Sequence, residues 1–101
     1  MEQTSKLLAK LIAFKTTADR PGEIQRGFEY IASLFDKGKF DVQWFEKNGK
    51  YSLLVSSKGK DALRPKVLLN GHLDVVPAES EDQFEMKVEG NKAFGRGTAD
   101  M

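Results

Sequence analysis

The stretch KVLLNGHLDVVP, Lys66 to Pro77, decides how this chain is read. Its short apolar run, Val67–Leu69 closed by Asn70, reads as a strand buried on both faces of a sheet. His72, the single histidine of the chain, then stands just past the carboxyl end of that strand. In open α/β sheets that rim is where ligand sites gather. Residues two apart in an extended segment share a face, so His72 and Asp74 are expected to point the same way. A carboxylate beside an imidazole orients the ring and raises its basicity, as it does behind metal-bound histidines. Gly71 has no side chain and lets the backbone turn sharply or a neighbour come close.

Upstream, two amphipathic helices are predicted. Thr4 is a candidate N-cap, and Leu7, Leu8, Leu11 and Ile12 form an apolar stripe behind it. TTADRPG breaks that pattern. Pro21 suits a first helical turn with Glu23 near the dipole, and Ile24, Phe28, Ile31, Leu34 and Phe35 recur at helical spacing up to Gly38. The period then becomes two. Phe40, Val42 and Trp44 alternate with polar residues, Asn48-Gly49 is a tight-turn signal, and Tyr51 to Ser56 reads as the returning strand of a hairpin.

Downstream of His72, Phe84, Met86 and Val88 alternate as a strand would, Gly90-Asn91 turns, and Lys92 to Phe94 returns. Helices followed by about five strands, one of them doubly buried, predict an α/β layered domain. The segment GRGTAD ends this region, with Gly95 and Gly97 flanking Arg96 and Asp100 close behind. If the strand around Phe94 ran parallel beside Val67–Asn70, Asp100 and His72 would emerge at one rim. A carboxylate there can bridge two metal ions, and imidazole with carboxylate suits zinc, cobalt or manganese.

Composition narrows the field of functions. Sixteen basic and 15 acidic residues give a net charge of +1 with no block of like charge, which argues against a nucleic-acid footprint. With no cysteine, neither disulfides nor thiolate metal sites are available. The apolar runs are too short to span a membrane, and the N-terminus, interrupted by Lys6 and Lys10, is no signal segment. The expectation is a single-domain cytoplasmic chain.

Taken without further context, each feature has a plainer reading. A lone loop histidine is commonly a surface or hydrogen-bonded residue, Gly-Arg-Gly a simple turn, and a terminal aspartate solvated. The AESED run, Ala78 to Asp82, reads as a solvated loop, and Trp44 with the seven phenylalanines as core.

The two motifs together change the balance. VLLNGHLDVVP followed by GRGTADM resembles the paired signature of the cocatalytic zinc peptidase and deacylase family, which includes aminoacylase, acetylornithine deacetylase, succinyl-diaminopimelate desuccinylase and glutamate carboxypeptidase. The preceding LLAKLIAFKTTADRPGEIQRGFEYIASLF is similar to the helical start of such enzymes. The resemblance implies part of a three-layer α/β/α catalytic domain with a mixed sheet. It implies that His72 binds one metal, that Asp74 clamps His72, and that Asp100 bridges two metals. Gly71 and Gly95, Arg96 and Gly97 would shape the loops that present them. Two Zn2+, or Co2+ or Mn2+, would serve a complete, homo-oligomeric enzyme that hydrolyses amide or peptide bonds of N-acyl amino acids or small peptides. No nucleic-acid or membrane partner is implied.

Departures from the family pattern also bear on function. Members continue past this point to a glutamate pair, further ligands and an inserted dimerisation domain. They also often carry a tryptophan after DVVP, where this chain reads AESEDQF. The 101 residues are therefore expected to be a truncated N-terminal part of the catalytic domain, inactive alone and binding metal weakly or not at all. The rival expectation is a non-catalytic piece that self-associates through exposed helix faces and sheet edges.

Overall fold

Pro21 opens the second helix as its fixed φ predicts, and the packing of that helix organises the rest. The computed structural model describes residues 2–59 and 67–99. Its elements are α1 (Glu2–Ala13), α2 (Pro21–Ser33), the hairpin strands β1 (Phe40–Lys47) and β2 (Lys50–Ser57), a 3-10 turn (Glu81–Phe84), and the short strands β3 (Lys87–Glu89) and β4 (Lys92–Phe94). Thr4 lies inside α1 rather than capping it, because the helix already begins at Glu2. α2 ends at Ser33, so Leu34 and Phe35 fall just beyond it, and Leu34 is half exposed.

Phe14, just past the end of α1, meets Tyr30 of α2, with ring centroids 5.7 Å apart. The Lys10 ammonium sits 5.7 Å from the Tyr30 ring, so its stem covers this contact while its charge stays wet. α2 also carries the hairpin. Phe28 meets Trp44 edge-on at 6.3 Å and Phe35 meets Phe40 at 5.2 Å, both geometries that the ring quadrupole favours. Pairing is antiparallel, with Val42 opposite Val55 and Trp44 opposite Leu53. Asn48 and Gly49 take φ of 54° and 77°, the doubly positive conformation of a tight hairpin turn.

The expected single mixed sheet does not form among the described residues. The four strands make two separate two-stranded antiparallel sheets, β1-β2 and β3-β4. Val67–Asn70 is not a strand, and Val67, Leu68 and Leu69 are 73%, 75% and 90% exposed. A strand exists only where a neighbour exchanges backbone hydrogen bonds with it. Here β4 pairs with β3, and the bridge found near this segment among the described residues is parallel, between Thr17 and Val75. The expected strand from Phe84 to Val88 is likewise shortened: residues 81–84 coil into the 3-10 turn, and pairing starts at Lys87.

Burial is concentrated rather than spread. Ile12 and Phe84 are the buried apolar side chains among the described residues, joined by Thr16 and Thr17 at 3% exposure each. The expectation that Trp44 and all the phenylalanines are core is corrected accordingly. Trp44 is 42% exposed, Phe45 52% and Phe94 48%. Phe45 lies on the hairpin face opposite the one whose Trp44 meets Phe28 of α2 and whose Phe40 meets Phe35 just beyond it, so its ring points away from these contacts.

Candidate metal-site half and its supports

His72 and Asp74 do share a face, and they touch. His72 Nδ1 lies 3.1 Å from the Asp74 backbone carbonyl oxygen and 3.2 Å from its carboxylate Oδ1. Both partners are acceptors only, so Nδ1 is the donor in these contacts and carries a proton. Both side chains are substantially exposed, at 46% and 65%. An imidazole held through Nδ1 by a carboxylate has the chemistry of a metal-binding histidine with its outer partner, so the donor set fits zinc, cobalt or manganese. Among the described residues, no group of three or more His, Cys, Asp or Glu is placed to hold a metal. Asp100 lies outside the described residues.

The loop bearing His72 is pinned from three sides. Thr16 Oγ donates to the Leu73 carbonyl oxygen at 2.6 Å, and the Val75 amide donates to the Thr16 carbonyl oxygen at 2.9 Å. Beneath it, α2 offers Gly27: a methyl group there would lie 2.6 Å from Leu73 Cδ2, so the missing side chain leaves room for the Leu73 side chain. On the other side is Gly97, at φ +92°, where an added methyl would fall 2.7 Å from Val75 Cγ1. Gly95 packs in the same way on Ile12, with 2.7 Å left for a methyl to Ile12 Cδ1.

The sequence-distant motifs therefore converge. His72, Asp74 and the turn from Gly95 to Ala99 line one cavity of about 630 Å³, floored by Leu8, Leu11 and Ile12 of α1. They converge without the parallel strand pairing expected of them. Arg96 does not extend into open solvent: its amide donates to the Gln83 carbonyl oxygen at 2.9 Å and Nη2 donates to Gln83 Oε1 at 2.6 Å. Thr98 Oγ closes the turn on the Gly95 carbonyl oxygen at 2.9 Å. Gly71 is exposed.

The acidic run was expected to be merely solvated, but one of its members is a tether. Glu81 bridges Lys15 and Arg20, each at 2.9 Å, tying the 3-10 turn to the connection between α1 and α2. The Arg20 and then the Lys15 hydrogen bond hold the Glu81 carboxyl below its usual range. Arg20 also lies over the Phe84 ring at 5.7 Å. Asp82 is lowered in turn by the Ser80 hydroxyl and then by Lys87. Sequence reading missed Thr16, Gln83 and Glu81. Thr16 and Gln83 act through backbone approach between distant segments, which leaves no local pattern. The Glu81 bridge joins charges 61 residues and more apart.

The sequence profile of Peptidase family M20/M25/M40 matches residues 68–101. The chain is 33% identical over 101 residues to the probable succinyl-diaminopimelate desuccinylase of Staphylococcus epidermidis, an alignment covering 95% of this chain and 24% of that protein. It is 34% identical over 102 residues to the succinyl-diaminopimelate desuccinylase of Wolbachia pipientis, with the same coverage of 95% and 24%. A Staphylococcus aureus relative of the same printed name as the first is 29% identical, again over 95% of this chain. The chain thus spans about a quarter of the length of the curated relatives it matches, at 24%.

Proposed function

Because the chain belongs to the M20/M25/M40 peptidase family, we propose that its 101 residues are part of the catalytic domain of a metal-dependent hydrolase acting on amide bonds. The substrate class is N-acyl amino acids or small peptides, and the names of the relatives favour an N-succinyl amino acid. The observation that carries this reading is the His72–Asp74 contact, with Nδ1 facing two acceptors, in one cavity with the turn leading to Asp100.

Divalent cations bound there would supply Lewis acidity toward the amide carbonyl and acidify a water. The chain's own residues prepare for this. Asp74 keeps the proton on Nδ1 of His72, so the ring offers Nε2 as its ligand atom. Asp100 offers two carboxylate oxygens able to bridge a metal pair. Gly95 and Gly97 let the Arg96 turn lie against Ile12 and Val75, and Gln83 fixes the arginine, so the approach to Asp100 is held. The apolar floor from α1 excludes water from one side of the cavity.

A catalytic zinc site takes three protein ligands and an open position. His72 and Asp100 supply two, so the 101-residue chain by itself binds zinc weakly and hydrolyses no amide. Titrating zinc into labelled protein while observing the sole imidazole tests the metal reading. The His72 ring signals move with zinc, and Asp74→Asn weakens the response. Ring signals indifferent to millimolar zinc would sink it, and metal-dependent amide turnover by the chain alone would sink the inactivity.

A second reading, self-association, draws on the 73–90% exposure of Val67, Leu68 and Leu69 together with the exposed Phe45 and Leu54 of the hairpin. Exposed apolar runs and unpaired edges invite pairing with another chain. Sedimentation velocity over a concentration series decides: a monomer at all concentrations removes this reading.

A further inference from the structure

We propose that Thr16 is the positioning residue for the His72–Asp74 pair, acting on both peptide planes that flank Asp74; the link to metal binding rests on the function proposed above. The Thr16 hydroxyl holds the Leu73 carbonyl at 2.6 Å, and this carbonyl belongs to the plane before Asp74. The Thr16 carbonyl holds the Val75 amide at 2.9 Å, and this amide belongs to the plane after it. Two planes fixed about one Cα fix its φ and ψ. The second plane also contains the Asp74 carbonyl, and that oxygen is one of the two facing His72 Nδ1. Thr16 thereby sets both the direction of the carbonyl on the imidazole and the origin of the carboxylate beside it.

Thr16 is suited to this task by its own surroundings. At 3% exposure its hydrogen bonds are shielded from water, which keeps them strong. The adjoining Thr17 forms the bridge to Val75. Lys15 and Arg20, on either side of the threonine pair, are both held by Glu81. The threonine segment is therefore anchored to the 3-10 turn while it grips the histidine loop. No other residue holds backbone atoms on both sides of Asp74 among the described residues.

The test uses the full 101-residue chain, metal-free and isotope-labelled, in which one histidine makes the imidazole signals unambiguous. Long-range nitrogen–proton correlation is expected to show His72 in the Nδ1-protonated tautomer. Thr16→Val, which keeps the shape and loses the hydroxyl, is expected to shift His72 toward the other tautomer, and Thr16→Ser to restore it. Circular dichroism must show the helices retained in each. A Thr16→Val protein that is folded and keeps the wild-type tautomer overturns the proposal. Should that variant unfold, the wild type still decides through the scalar coupling across the hydrogen bond from the Val75 nitrogen to the Thr16 carbonyl carbon. Its presence supports the bracket and its absence overturns it. Zinc titration separates the two readings: Thr16→Val is expected to weaken zinc binding about 10- to 100-fold, as loss of an outer partner does. If the wild type binds no zinc while the tautomer still answers to Thr16→Val, the metal reading falls and the positioning role stands.

Discussion

Replacing Gly97 by alanine probes whether the two motif loops are truly locked together. Two costs arise at this one position. Gly97 sits at φ +92°, where a Cβ meets the backbone, at a cost of about 1–2 kcal/mol for a residue other than glycine. The new methyl would also lie 2.7 Å from Val75 Cγ1. Valine is stiff at χ1, so it cannot swing aside as a long flexible chain would. Moving the Val75 backbone instead strains the hydrogen bond its amide donates to the Thr16 carbonyl oxygen, 2.9 Å long. Overpacking of this kind costs about 1–3 kcal/mol, so Gly97→Ala is expected to destabilise by about 2–5 kcal/mol in total. For a domain of this size that lowers the melting temperature by at least about 8 °C. Thermal unfolding followed by circular dichroism measures it, with Gly22→Ala as the control. Gly22 has nothing within 4 Å of an added methyl, and alanine there should be neutral or stabilising by up to about 1 kcal/mol. A Gly97→Ala protein within about 0.5 kcal/mol of wild type, the range of ordinary surface changes, would refute the account of the loop contact.

Three further outcomes are expected. Glu81 has its carboxyl lowered in the folded chain by Arg20 and then Lys15, so its contribution is present above its ordinary value of 4.5 and lost as pH falls below it; Glu81→Gln should flatten the acid limb of a stability–pH profile, and an unchanged limb would show the bridge to be inert. Phe84, 4% exposed, should cost about 3–5 kcal/mol on truncation to alanine, measured by urea unfolding. Gly49→Ala meets open space but keeps φ at +77°, so it should cost only the backbone strain of about 1–2 kcal/mol; a larger loss would mean that the hairpin turn packs on something.

Local rules carried a long way in this chain. Pro21 at the helix start, the Asn48-Gly49 and Gly90-Asn91 turns, and the alternation of Phe40, Val42 and Trp44 all took the forms predicted for them. Each depends on atoms within a few residues, where a propensity or a sterically required φ is decisive. Val67–Leu69 shows where such rules stop. Its apolar run is that of a buried strand, yet burial and pairing belong to neighbouring segments, and none pairs with it among the described residues. Phe45 follows the same logic, since alternation fixes its face of the hairpin but not whether anything covers that face.

The site divides along the same line. Sequence by itself determined the partnership of His72 with Asp74, because a spacing of two in an extended chain leaves both side chains on one side. It also marked Gly95 and Gly97 as the residues that shape the second loop. Only the tertiary structure decided what those glycines are for, namely room for Ile12 and Val75. It alone brought the two loops to one cavity without a shared strand ladder. It alone revealed Thr16 as the residue gripping the backbone on both sides of Asp74. The physical reason is distance along the chain: Thr16 and Leu73 stand 57 residues apart, and a hydrogen bond between them exists only once α1, α2 and the 3-10 turn have been packed together.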